Sequence, residues 1–209
     1  MMLAECEWIW SSPAYLMGMR PEPVQRYAFH RRFLQHIQHG SPPRRWVLKG
    51  VSHQFQIGGV VATYPDAALV WIHRDPVKNV ASYLAYQFDG PRRPPGDPIV
   101  EARKMVEQLH TDLNQAMAHP HLQRVHHVLY AALVADAIGT MRGVYERAGL
   151  PWTADAEAAI AAWVDDPANR GDRHGRHTYS LGDFGLAAAE VDELFAGYRQ
   201  RFGIPYERA

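Results

Sequence analysis

The run Ala67 to His73, Ala-Ala-Leu-Val-Trp-Ile-His, passes without a break into Arg74-Asp75-Pro76. A short continuous apolar stretch rich in strand formers reads as a strand buried on both faces. Asp75 suits a helix N-cap and Pro76 the first helical position. Val77, Val80, Ala81 and Leu84 then recur at helical spacing. A buried strand feeding straight into a capped helix implies a parallel sheet with helical crossovers. Ligands of such sheets bind outside the carboxyl ends of the strands, and Arg74 stands at one of them.

The rest of the chain repeats the alternation. Apolar spacing predicts a helix from Pro21-Glu22-Pro23 to Gly40, a short β-like run at Trp46-Val47-Leu48, and a helix from His53 to Thr63 despite Gly58-Gly59. Further helices are expected over Glu101–Ala118, Ile138–Ala148, Ala154–Val164 and Glu190–Phe202, with a second strand over Val125–Leu129. Asp165 to Tyr179 reads as a polar loop dense in Arg, His and Gly. Nothing reads as a linker or a repeat, so residues 1–209 are expected to form a single α/β domain.

Composition removes several function classes. Lys plus Arg equals Asp plus Glu at 22 each, which argues against a broad nucleic-acid surface or an anionic membrane surface. It leaves room for a small basic pocket that takes one phosphorylated ligand. Cys6 is the only cysteine, so no intrachain disulfide forms and a reducing cytoplasm is the expected setting. Ala67–Ile72 is far short of a membrane-spanning stretch. Twelve histidines invite a metal reading, but His126-His127, His36 with His39, and His174 with His177 each lack a complete ligand set. No metal is expected.

A guanidinium at the mouth of a buried strand matches a phosphate in geometry and charge. The helix that starts at Pro76 directs its positive end to the same place. Lys78 and Ser82 are four positions apart and share a polar helix face, so Ser82 adds a hydroxyl donor to an anion held by Arg74. The competing reading of Arg74 is an ion pair with an acidic neighbour, and that of Ser82 a solvent-facing serine.

Four stretches together resemble the sulfotransferase family, in its bacterial branch: Arg44-Arg45-Trp46-Val47-Leu48-Lys49 with His53 downstream, Tyr64-Pro65-Asp66-Ala67, His73-Arg74-Asp75-Pro76, and Ser82 eight positions after Arg74. The region His174 to Leu186 resembles that branch's C-terminal loop and helix. The resemblance implies a P-loop-NTPase-like parallel sheet flanked by helices, helix-rich, and a sulfuryl group moved from PAPS (3′-phosphoadenosine-5′-phosphosulfate) to a small-molecule hydroxyl acceptor. It casts His53 as general base and Lys49 as stabiliser of charge on the transferred group. It assigns Arg74 and Ser82 to the 3′-phosphate, Tyr130 to the adenine, and Arg173, Gly175 and Arg176 to a loop returning to the phosphate. Lys49 and His53 are four apart here, against two in the better-known cytosolic branch. The bland alternatives stay open: a packing histidine, a solvated lysine, a core tyrosine, a solvated loop.

The family's Gly/Ser/Thr-rich loop for the 5′-phosphosulfate has no counterpart. Ser11-Ser12-Pro13 has hydroxyls but no glycine, and no Gly-x-x-x-x-Gly-Lys-[Ser/Thr] occurs. The fold is therefore expected to be incomplete, with its first strand and phosphate loop absent. Either an upstream segment supplied elsewhere completes it, or the chain is a non-catalytic binding module that keeps a nucleotide 3′-phosphate site. A homo-oligomer is left open. Trp8, Trp10, Tyr15 and Tyr27 line an acceptor pocket or belong to the core.

Overall fold

In the computed structural model, residues 23–43, 45–50, 52–89, 93–169 and 180–207 are described. The chain divides into two compact units, one running to Ala67 and including Gln115–Gln123, the other comprising Ala68–Asn114 and the chain from Arg124 onward.

In the first unit, helix α1 (Pro23–Gln38) ends where Gly40 turns the chain at φ +76°, a conformation that glycine adopts without a Cβ clash. A 3-10 turn, His53–Gln56, leads into α2 (Ile57–Thr63), whose Ile57, Val60 and Val61 are buried. Gly58 sits where an added Cβ would lie 3.0 Å from His119 Nε2. The run Trp46–Leu48 is not a strand. Among the described residues no strand pairs its backbone, Val47 is 92% exposed, and the Trp46 indole N–H donates instead to Gln38 Oε1 at 2.8 Å.

In the second unit, β1 (Leu69–His73) pairs in parallel with β2 (Val125–Leu129), in a register that sets Trp71 beside His127 and His73 beside Leu129. One expectation needs correcting: β1 is buried on one face only. Trp71 and His73 are buried while Val70 and Ile72 remain 44% and 49% exposed, because among the described residues the sheet has two strands and its second face is only partly covered.

Helix α3 (Pro76–Phe88) starts as its sequence dictates, with Pro76 in the first turn and Asp75 Oδ1 accepting from Val77 N–H at 3.0 Å; Val80, Ala81 and Leu84 face inward. Helix α4 (Pro98–Ala118) begins three residues before the expected Glu101, because the Asp97 carboxylate accepts from the N–H groups of Ile99 and Val100. After β2 comes α5 (Tyr130–Ala135), which the apolar pattern did not announce. Then follow α6 (Ala137–Arg147), capped by Asp136, and α7 (Ala154–Asp165), capped by Thr153. The expected single last helix is two, α8 (Ala188–Leu194) and α9 (Ala196–Phe202). Phe195 interrupts them at φ −99°, ψ 14°, with its ring 2% exposed and edge-on to His110. The backbone bonds flanking it persist: Phe195 N–H donates to the Val191 carbonyl and Arg199 N–H to the Phe195 carbonyl. The result is a helix-rich α/β chain with a small parallel sheet.

Candidate functional site

Because β1 and β2 are parallel and His73 lies opposite Leu129, the next residues, Arg74 and Tyr130, emerge side by side at the carboxyl end of the sheet. The Arg74 guanidinium carbon lies 4.6 Å from the centre of the Tyr130 ring, a cation–π contact. Two of the expected cofactor contacts are thus neighbours. Ser82 is half-buried two turns along α3, and Lys78 is half-buried on the same face.

Arg74 also meets a carboxylate that no local pattern announced. Its Nε donates to Glu207 Oε1 at 2.9 Å and Oε2 at 3.2 Å, and its Nη2 to Oε2 at 2.9 Å. The ion-pair reading and the placement at the sheet's carboxyl end therefore both hold. Behind it, Asp75 anchors the segment that carries Glu207: its Oδ2 accepts from Glu207 N–H at 2.8 Å, and its Oδ1 from Arg199 Nη2 at 2.8 Å. Arg199 Nε donates in turn to Asp192. Tyr206 lies across Arg199, 3.8 Å from ring centre to guanidinium, and its hydroxyl donates to Asp192 Oδ2.

Under the corner His73 is 1% exposed and stacked on Phe202 at 4.0 Å. Its Nδ1 is 2.7 Å from Tyr198 Oη and its Nε2 is 2.8 Å from His127 Nδ1. Burial, then the proximity of His127, pulls the His73 pKa down to about 3, so the ring is neutral and serves to hold the strand end in place. Burial likewise pushes the Tyr198 hydroxyl up.

In the first unit, His53 Nδ1 lies 2.6 Å from Tyr27 Oη. The next histidine on α1, His30, bonds through Nδ1 to Tyr64 Oη at 2.6 Å. His53 Nε2 is buried with no hydrogen-bond partner among the described residues. Burial, and secondarily His30, lowers the His53 pKa to about 4. The imidazole is thus neutral, with one nitrogen fixed by Tyr27 and the other buried and unpaired, and buried polar atoms without partners are rare. Lys49 is exposed in an irregular segment. Tyr27 is buried at 6% exposure and holds the histidine.

Arg173, Gly175 and Arg176, Ser11-Ser12-Pro13, and Trp8, Trp10 and Tyr15 lie outside the described residues. Among the described residues, no group of three or more His, Cys, Asp or Glu is arranged to hold a metal ion, and no helix is long and apolar enough to cross a membrane.

A profile of the sulfotransferase family matches residues 9–154. The chain belongs to the sulfotransferase family. No curated protein sequence gives a significant match. Among solved structures, this sulfotransferase-family chain is similar to the sulfotransferase STF9 from Mycobacterium avium, with 27% identity over 97% of this chain and 51% of that one and a TM-score of 0.74. It is also similar to the sulfotransferase STF1 from Mycobacterium tuberculosis H37Rv, with 26% identity over 93% of this chain and 48% of that one and a TM-score of 0.63. The chain thus spans about half the length of each of these two sulfotransferases.

The residues that sequence reasoning missed at the corner are Glu207, Arg199 and Tyr198. Each acts across more than 120 positions, and none carries a local signature.

Proposed function

We propose that the chain transfers a sulfuryl group from PAPS to a small-molecule hydroxyl. The observation that carries this reading is the bare, buried Nε2 of His53 beside a fixed Nδ1. With Nδ1–H donating to Tyr27 Oη, the Nε2 lone pair is free to take the acceptor's hydroxyl proton as oxygen attacks sulfur. The ring is uncharged at neutral pH and ready for that step. Lys49 offsets negative charge on the transferred group. Arg74 and Ser82 hold the 3′-phosphate, with Tyr130 at the adenine, and Arg173, Gly175 and Arg176 complete the phosphate contacts. PAPS supplies the activated sulfuryl group; the chain's own residues bind, orient and move the proton. Metal is not required by any of these roles.

The carboxylate on Arg74 favours a second reading, a non-catalytic module that binds a 3′-phosphorylated nucleotide. Calorimetric titration of adenosine 3′,5′-bisphosphate, paired with an assay of labelled sulfate transfer from PAPS, separates the two. Binding with transfer that is lost in His53→Ala supports the enzyme. Binding without transfer supports the module. Neither binding nor transfer removes both.

A further inference from the structure

We propose that Glu207 is a resident competitor for the anion slot at Arg74, displaced when a 3′-phosphorylated nucleotide binds and returning as it leaves. This rests on the reading of Arg74 as the 3′-phosphate contact. The three contacts from Nε and Nη2 are those a guanidinium fork offers to a planar carboxylate or to two oxygens of a phosphate, so the two ligands are alternatives for one set of donors.

Two features make exchange possible without unfolding. First, the main chain of the Glu207 segment is tied down independently of the Glu207 side chain. Glu207 N–H donates to Asp75 Oδ2, Arg199 Nη1 donates to the carbonyls of Ile204 and Pro205, and Tyr206 covers Arg199. The carboxylate therefore swings out by rotating its own side-chain bonds while the strap stays in place. Second, the Tyr130 ring lies against the face of the guanidinium and so leaves its in-plane Nε and Nη2 donors to the anion.

The energetics favour reversibility. The Arg74 and Glu207 side chains are 33% and 22% exposed, so the pair is wet and modest in strength, and the released carboxylate is resolvated at little cost. A phosphate monoester carries close to two charges at neutral pH and outcompetes a single carboxylate for the fork. Glu207 thus keeps Arg74 paired when no nucleotide is present. It weakens binding of any 3′-phosphorylated nucleotide and speeds the departure of the desulfated product, which bears the same phosphate. A nucleotide without a 3′-phosphate does not compete for the slot and is indifferent to Glu207.

Calorimetry tests this with adenosine 3′,5′-bisphosphate and adenosine 5′-monophosphate against wild type, Glu207→Gln, Arg74→Ala and, as an equal change of charge at an exposed carboxylate on α6, Glu146→Gln. Glu207→Gln should tighten the bisphosphate by about two- to fivefold, leave the monophosphate unchanged, and differ from Glu146→Gln, which should match wild type. Arg74→Ala should weaken the bisphosphate by about tenfold or more. Binding by Glu207→Gln where wild type shows none also supports the exchange. If Arg74→Ala loses affinity while Glu207→Gln matches wild type or binds more weakly, Glu207 is no competitor and the phosphate reading stands. If all variants bind alike, or none binds, the Arg74 reading fails and the competitor falls with it. Should Glu207→Gln fold poorly, Glu207→Asp, one carbon too short to fill the fork, carries the same expectation.

Discussion

Arg199 Nη2 donates to Asp75 Oδ1 at 2.8 Å, with the two side chains only 9% and 4% exposed. The pair joins α9 to the turn between β1 and α3, and so fixes the strand end that presents Arg74. Burial by itself would push the Asp75 carboxyl up. The Glu207 N–H, the Arg199 guanidinium and the Val77 N–H outweigh it and hold the carboxyl below its ordinary value.

Replacing Arg199 with alanine strands a carboxylate in the interior. We expect Arg199→Ala to lose about 3–5 kcal/mol of stability, read as a drop in the urea midpoint at unchanged slope. Arg199→Lys should rescue little of it, since one ammonium cannot reach Asp75, Asp192 and two carbonyls together. A midpoint within error of wild type for Arg199→Ala would remove the pair from the fold's support.

Acid should destabilise the protein well before most carboxylates titrate. His53 and His73 have pKa values lowered to about 4 and about 3 from 6.5, and His30 is shifted the same way, so the unfolded chain takes up these protons first. Their neutral form supports the fold fully above about pH 6.5, and that support is lost as pH falls through the lowered values. Asp75, depressed as well, adds a loss of the same sign at still lower pH. Thermal melts from pH 7 to 4 should show a falling midpoint, and His53→Gln should flatten part of the slope. A midpoint that holds level across the range would contradict the buried, neutral assignment.

If His53 is the base, its partner Tyr27 sets its tautomer. His53→Ala should lower kcat by about 10²–10⁴-fold. Tyr27→Phe should cost about tenfold, the worth of one lost hydrogen bond, and should move the acidic limb of the pH–rate profile. A Tyr27→Phe enzyme with an unchanged profile would leave Tyr27 a packing residue.

Gly139 tests the capping geometry of α6. An added Cβ would lie 2.1 Å from Asp136 Oδ2, the carboxylate that accepts from Gly139 N–H at 2.8 Å through its other oxygen. Gly139→Ala should therefore cost about 1–2 kcal/mol through the lost cap, although alanine is the better helix former. Differential scanning calorimetry should show a lower midpoint; a higher one would mean the cap contributes less than the glycine takes away.

Local chemistry is what the sequence displayed. The Val125–Leu129 strand, the Asp75 cap with Pro76 behind it, and the helices from Ala137 and Ala154 all follow from patterns spanning a few residues. The placing of Arg74 and Tyr130 at strand ends followed too, since parallel pairing sets both at one edge. What stayed hidden was everything decided at a distance. Trp46–Leu48 has strand-forming residues but, among the described residues, no partner strand, and β propensity needs a neighbour to act on. Phe195 sits in a good helical stretch, and no local pattern marks the change in its backbone angles. Glu207 is an unremarkable acidic residue until the fold brings it onto Arg74.

The tie between Asp75 and Arg199 also has a meaning in time. Asp75 is synthesised 124 residues before the arginine that neutralises it. While the chain is still growing, the turn after β1 holds a carboxylate with no counter-charge, and water must hydrate it. The turn that presents Arg74 consequently gains its buried counter-charge only once Arg199 has been added, and a ribosome stalled before Arg199 would leave Asp75 unneutralised.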